Sequence, residues 1–304
     1  MGGSGGQSYS RDDPNIDAIR REIREQLQQQ ELDAELNGFL AEQLAGFNDR
    51  DTHLVRDRLD AIEDALGDEA LDVDRLLFGG SVAKHTYVDG LSDVDALVVL
   101  DAPGASPGDL VRRFADALSK RLGSGDVLTV DPGRLAVTVT YRDGSQVQLL
   151  PAVERDGRTS IASENGSSWQ HIRPHKFAEK LTQVNQANGR AVVPTIKLAK
   201  AAIAGLPEAQ QLSGYHVEAI AVDAFKGYDG RRDRVSMLRH LVRRAAEVVL
   251  RPTGDITGQS VHIDAHLGAA DSAARRAVSA GLRRLASALN NAQGANDYRG
   301  LFDD

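Results

Sequence analysis

Leu76-Leu77-Phe78-Gly79-Gly80-Ser81 and, after a helix-length interval, Asp93-Val94-Asp95-Ala96-Leu97-Val98-Val99-Leu100 decide how the rest of the chain reads. The apolar run ending at Gly79 predicts a strand broken by a tight glycine turn; the run from Ala96 predicts a second strand entered through two carboxylates. Glycines at a strand-to-helix turn let backbone N–H groups approach an anion, and a following helix adds the positive end of its dipole. With the Ser81 hydroxyl beside Gly79 and Gly80, the turn suits a triphosphate. Asp93 and Asp95 are two positions apart, so on an extended backbone both point to one face while Val94 points into the core. Two hard oxygen ligands on one face suit one or two Mg²⁺ ions bridging phosphate oxygens during an in-line displacement. The plainer reading, a glycine turn followed by a solvated acidic loop, leaves unpaired carboxylates against a buried strand, where they are costly.

This combination resembles the signature of the DNA polymerase β-like nucleotidyltransferases. The resemblance implies an α+β protein: a palm of mixed twisted sheet with helices, a helical lobe, and an active site in the cleft between them. It also implies a third acidic residue on a later strand, in a pattern of one acid, two apolar residues, Pro and Ala. Gln148-Leu149-Leu150-Pro151-Ala152 matches that pattern except at its first position, where Gln148 stands. An amide offers one neutral oxygen in place of a charged carboxylate, which weakens both metal affinity and activation of an attacking hydroxyl. Two readings stand: Asp93 and Asp95 suffice while Gln148 orients ligands, or the protein has reduced or no activity. Asp131 and Glu154 are nearby acids that would substitute.

Composition sets the outer bounds. The 304 residues, 41% of them apolar, suffice for a sizeable core in one large or two modest domains. Without cysteine, disulfides and thiolate metal sites are excluded. No apolar run has the length needed to span a bilayer and no signal peptide opens the sequence, so the expectation is a cytoplasmic protein with no membrane partner. A net charge of −8 argues against an extensive nucleic-acid surface, but leaves room for nucleotides held by a few cations and metal.

Residues 1–12 form a Gly/Ser-rich tail with little to bury. Ile16, Ile19, Ile23 and Leu27 form one helical stripe, and Leu36, Phe39, Leu40, Leu44 and Phe47 another; both are expected to be packing faces. A third amphipathic segment, Leu54, Leu59, Ile62, Ala65 and Leu66, stops at Gly67. Ser106-Pro107 is a helix start, with Leu110, Phe114, Leu118 and Leu122 repeating to Gly123. Strands are expected at Val127–Val130, Leu135–Tyr141 and Gln146–Val153, the last two joined by Arg142-Asp143-Gly144-Ser145. From Pro174 helical spacing dominates, near 175–187, 192–204, 213–227, 234–250 and 271–290. The expected division is a palm over 13–165 and a helical lobe over 166–304.

Val193-Pro194-Thr195-Ile196-Lys197-Leu198-Ala199-Lys200, followed by Leu212-Ser213-Gly214-Tyr215-His216-Val217-Glu218, resembles the helical lobe of oligoadenylate synthetases and of bacterial CD-NTases, relatives of cyclic GMP–AMP synthase. There a helix lysine and a downstream serine hold the triphosphate and a tyrosine lies near the base. The resemblance gives Lys197 or Lys200 as the clamp, Ser213 as its partner and Tyr215 as a base contact. Gly214 departs from the family's Ser-Tyr pair. Together these motifs look most like the CBASS oligonucleotide cyclases of anti-phage defence. The implied partners are nucleoside triphosphates, two Mg²⁺ or Mn²⁺ ions at Asp93 and Asp95, and an effector or inhibitor protein responding to a cyclic product. The alternatives are transfer to linear oligonucleotides, an RNA end or a protein, and an impaired nucleotide-binding regulator. Lys84 and His85 follow the glycine turn, and Trp169, Arg173 and His175 lie near the junction. The segment Gly258–Asp264 with His266 holds His and Asp but no convergent ligand pattern.

Overall fold

The structure, a computed structural model, describes residues 14–47, 52–67, 73–78, 86, 94–100, 106–122, 125–133, 135–163, 166–255 and 262–302. Its centre is β2 (Val94–Leu100), whose apolar residues alternate between two cores. Ala96, Val98 and Leu100 join one, and Leu97 and Val99 the other. A strand apolar on both faces must be covered on both. β2 pairs antiparallel with β1 (Val73–Phe78) and parallel with β5 (Gln146–Arg155). β5 continues antiparallel into β4 (Val137–Tyr141), and β4 into β3 (Val127–Pro132). The sheet of seven strands runs β1-β2-β5-β4-β3, with β6 (Arg158–Ala162) against β5 and β7 (Trp169–His171) against β6.

The expected mixed sheet and its hairpin are present. In the turn, Asp143 accepts from the Ser145 backbone N–H (3.0 Å) and hydroxyl (2.7 Å), and Gly144 has φ +85°. β6 and β7 were not among the expected strands. The turn into β6 places Asp156 at φ +51° and Gly157 at φ +68°, the paired left-handed conformations that an Asp-Gly dipeptide favours in hairpins.

α2 (Thr52–Gly67) and α3 (Pro107–Leu122) cover one sheet face through Leu59, Ile62, Leu66, Leu110, Phe114 and Leu118. Ser106 caps α3 as its spacing predicts, its hydroxyl accepting from the Asp109 N–H at 3.3 Å. Leu97, Val99, Ala152, Ile161 and Ile172 form the smaller core on the opposite face.

Five C-terminal helices fall close to the expected segments: α4 (Pro174–Ala187), α5 (Val192–Ala204), α6 (Gly214–Ala224), α7 (Arg234–Val248) and α8 (Ala273–Asn291); a short sixth, α9 (Ala295–Arg299), was not expected. They share a core with α1 (Pro14–Gly46), one 33-residue helix spanning most of the two stripes read at its end of the chain. Leu36, Phe39, Leu40 and Leu44 of α1 are buried in that core, Phe39 edge-on to Tyr298. The second half of α1 therefore packs with the helices of the expected 166–304 lobe. The first stripe corrects the expectation of a packing face: Ile19, Ile23 and Leu27 are 48%, 50% and 52% exposed, because this part of α1 runs past the helices that bury Leu36 onward. Among the described residues no helix is long and apolar enough to cross a membrane.

Candidate functional site

Strand register gathers the polar residues of the sheet. Asp95 on β2 is paired with Gln148 on β5, Gln148 with Thr138 on β4, and Thr138 with Asp131 on β3. Gln148 is half-buried between buried Val147 and Leu149. Gln146, Thr138 and Thr140 are half-buried as well, with the Gln146 amide donating to the Thr140 hydroxyl at 3.4 Å. These four residues make a polar strip on the face whose apolar core lies further along the strands. Gly79, Gly80, Ser81, Lys84, His85 and Asp93 lie outside the described residues, as does the side chain of Asp95.

The two substitute acids do not replace Gln148. Asp131 is exposed, accepts from the Thr129 hydroxyl at 2.6 Å, and stands three strands from Asp95. At about 4.8 Å per strand that is about 14 Å, beyond what two carboxylates sharing an ion can span. Glu154 lies six residues along β5 from position 148, about 20 Å at 3.3 Å per residue.

The helical residues are engaged in ways the sequence does not reveal. Lys200 is 8% exposed, donating to Glu218 Oε1 at 2.8 Å and to the Thr86 carbonyl at 3.0 Å. Its charge is matched by a buried carboxylate; Lys197, one turn earlier on α5, is half-buried. Ser213 is the N-cap of α6, its hydroxyl accepting from the His216 N–H at 3.3 Å. Tyr215 donates to Asp255 Oδ1 at 3.0 Å and meets the Phe177 ring edge-on at 5.0 Å. Gly214 has a steric reason to interrupt Ser-Tyr: a Cβ there would stand 3.1 Å from Lys200 Cε.

Of the Gly258–Asp264 segment, residues 258–261 lie outside the described residues, and Asp264 belongs to a structural bracket. Arg275 is fully buried and donates to Asp264 Oδ2 at 2.7 Å and to the carbonyls of Val249, Arg251, Asp264 and Gly268. Burial alone would raise the Asp264 pKa; hydrogen bonds from Arg275 and the Thr253 N–H, with the nearby positive charge, bring it below the usual range. His216 Nε2 lies 3.4 Å from Asp264 Oδ2, and burial pushes the His216 pKa down to about 4 against that carboxylate. His262 and His266 are exposed. Trp169 sits on β7 with the Arg155 guanidinium 5.6 Å from its ring centroid, while Arg173 and His175 are exposed at the start of α4.

A cavity of about 530 Å³ lies behind the sheet, lined by α2, α3, β3 and β4. Arg58 stacks over Tyr141 at 3.9 Å and binds Asp126 (2.5 Å), Asp143 (2.9 Å) and Ser145 (2.6 Å). The Ser145 hydroxyl and N–H, with Arg58, lower the Asp143 pKa to about 2, and burial lifts that of Tyr141 to about 12. These bonds fasten α2 to the hairpin, on the face opposite the Gln148 strip.

Residues 31–185 match the family model of the Second Messenger Oligonucleotide or Dinucleotide Synthetase domain. No curated protein matches the sequence. The fold is similar to the Bradyrhizobium diazoefficiens CD-NTase CdnG in complex with GTP: TM-score 0.68, 17% identity, 88% of this chain and 96% of that one. It is similar to Vibrio cholerae DncV cyclic AMP-GMP synthase in complex with nonhydrolyzable GTP, with TM-score 0.62, 14% identity, 98% of this chain and 91% of that one. For E. coli MS115-1 CdnC with ATP the figures are 0.59, 17%, 87% and 93%. With the glycine turn, Asp-Val-Asp and the strand of Gln148 falling inside the matched segment, the chain belongs to the Second Messenger Oligonucleotide or Dinucleotide Synthetase domain family.

Proposed function

We propose that this protein condenses nucleoside triphosphates, with release of pyrophosphate, into a cyclic oligonucleotide second messenger of anti-phage defence. The observation that carries the reading is the register of Asp95 with Gln148 on the two central strands, inside the segment that matches the family. Gly80 and Ser81 hold the donor triphosphate through backbone N–H groups and a hydroxyl, and Lys197 with Ser213 holds its outer phosphates. Asp93 and Asp95 hold Mg²⁺ or Mn²⁺, two ions in the full site, and this metal supplies charge neutralisation at the phosphates. Gln148 fits as a neutral ligand or orienting group: its amide is half-buried and in register with Asp95. A 2′- or 3′-hydroxyl of the acceptor nucleotide attacks the α-phosphorus in line, the α–β bridging bond breaks, and pyrophosphate leaves. Repetition and closure give the ring, which an effector protein reads.

The palm over 13–165 and helical lobe over 166–304 are proposed as the two walls of the cleft, with the second half of α1 packed on the helical wall. A cytoplasmic setting supplies the triphosphates. A second reading, a nucleotide-binding regulator with little turnover, is favoured by Gln148 alone. The test is incubation with ribo- and then deoxyribonucleoside triphosphates and Mg²⁺ or Mn²⁺, followed by phosphatase and mass spectrometry. Phosphatase-resistant cyclic species that vanish in an Asp93→Ala, Asp95→Ala double variant support the cyclase; linear chains redirect it to a terminal transferase. Nucleotide binding without pyrophosphate release favours the regulator.

A further inference from the structure

Thr86 lies five residues after Ser81 and seven before Asp93, so it divides the stretch that carries the phosphate turn and the first carboxylate. It is fully buried, and it bonds to helices far along the chain. Its hydroxyl donates to Glu218 Oε1 on α6 at 2.5 Å, and its carbonyl accepts from Lys200 Nζ on α5 at 3.0 Å. Lys200 closes the ring on the same Glu218 oxygen at 2.8 Å. Glu218 is 1% exposed and Lys200 8%. Gly214 contributes by leaving Lys200 its space.

From this closed ring we infer that Thr86, Glu218 and Lys200 are positioning residues, a clasp that fixes the nucleotide-binding segment of the palm to the helical lobe so that both present one geometry to the triphosphate. The inference rests on the nucleotidyltransferase reading for its functional consequence. A buried ion pair is weak as a source of net stability, because desolvation offsets its attraction. It is strong as a device for register, since a displaced partner leaves a buried charge unpaired. Here its hydrogen bonds end on one chosen residue of the palm. Neither a solvated lysine nor an ordinary core contact would specify Thr86 in this way.

The informative variant is Thr86→Val, which keeps the shape and the carbonyl but removes the hydroxyl that reaches Glu218; Thr86→Ser keeps the hydroxyl. Hydrogen exchange of the full-length protein without ligand is read first. Peptides within 79–93 exchange at least threefold faster in Thr86→Val and at the native rate in Thr86→Ser, while α7 and α8 are unchanged. Affinity for a nonhydrolysable ATP or GTP analogue with Mg²⁺ falls about tenfold in Thr86→Val and returns in Thr86→Ser; in turnover the loss falls on KM more than on kcat. Unchanged exchange in Thr86→Val overturns the clasp, and faster exchange with native analogue affinity overturns its positioning role. A wild-type protein that makes no product in any condition sinks the cyclase reading instead, and the exchange and affinity arms still decide the clasp.

Discussion

Replacing Gln148 by Asp restores a carboxylate where the family pattern has one, and its physical cost can be worked out. Positions 95 and 148 are register partners on neighbouring parallel strands, about 4.8 Å apart. Two carboxylates about 5 Å apart repel by about 3 kcal/mol at an effective dielectric of about 20. At about 1.4 kcal/mol per pKa unit, that raises one folded-state carboxyl by about two units, from about 4 toward about 6. A carboxyl with a raised folded pKa binds its proton more tightly when folded, so the penalty is fully present above about pH 6 and absent below about pH 4. The expected result is that Gln148→Asp unfolds at lower urea than wild type at pH 7.5, by up to about 3 kcal/mol, and matches it at pH 4. Millimolar Mg²⁺ at pH 7.5 closes the gap, because the ion binds the folded carboxylate pair. Removing Asp95 as well abolishes both effects, and product formation in Mg²⁺ rises in Gln148→Asp alone. A variant as stable as wild type at pH 7.5, with no added response to Mg²⁺, would refute a shared ion position for 95 and 148.

Other predictions concern the helical lobe. His216 is held neutral with a pKa lowered to about 4, so the unfolded chain binds its proton first and stability falls as pH drops from about 6.5 to about 4. The slope approaches about 1.4 kcal/mol per pH unit, a loss of about 3 kcal/mol in all, and His216→Leu flattens it in urea titrations. Arg275→Met strands the buried Asp264 carboxylate and costs about 3–5 kcal/mol, whereas Arg275→Met with Asp264→Leu recovers much of that loss. Ser213→Ala removes the α6 cap and lowers stability by about 1 kcal/mol. If Ser213 also holds phosphate, its KM for triphosphate rises as well, which a cap alone would not cause.

What the sequence made legible follows from how local its causes are. The α3 cap at Ser106, the β4–β5 hairpin and the helices from 174 onward are set by neighbours a few residues apart, and each appears near its expected place. The stripe Ile19, Ile23 and Leu27 has the same local periodicity, but whether it is buried depends on what lies beside α1, and nothing in its own spacing records that the helical core reaches only to Leu32. β6 was missed although Asp156-Gly157 marks its turn, because Arg158-Thr159-Ser160-Ile161-Ala162 is short and has a single large apolar residue. Thr86, Glu218 and Arg275 were illegible for a stronger reason. Thr86 meets Lys200 and Glu218 at separations of 114 and 132 residues, Glu218 meets Lys200 at 18 and Arg275 meets Asp264 at 11, and a threonine between two motifs carries no mark of the carboxylate it will meet.

The proposed site would combine a locally weakened metal position with strongly specified surroundings, and the two are physically compatible. An amide at 148 removes the like-charge repulsion that a third acid would impose on Asp95, so the β2–β5 pairing does not depend on an ion being present. The cost is a lower charge density for holding that ion. The inferred clasp of Thr86, Glu218 and Lys200 acts on a different quantity: it holds Thr86 against α5 and α6. Weak metal attraction raises the metal concentration at which turnover occurs, whereas a loose clasp misplaces the triphosphate at any metal concentration. Titrating Mg²⁺ separates them, since excess ion should bring wild type toward the rate of Gln148→Asp but leave Thr86→Val short of both.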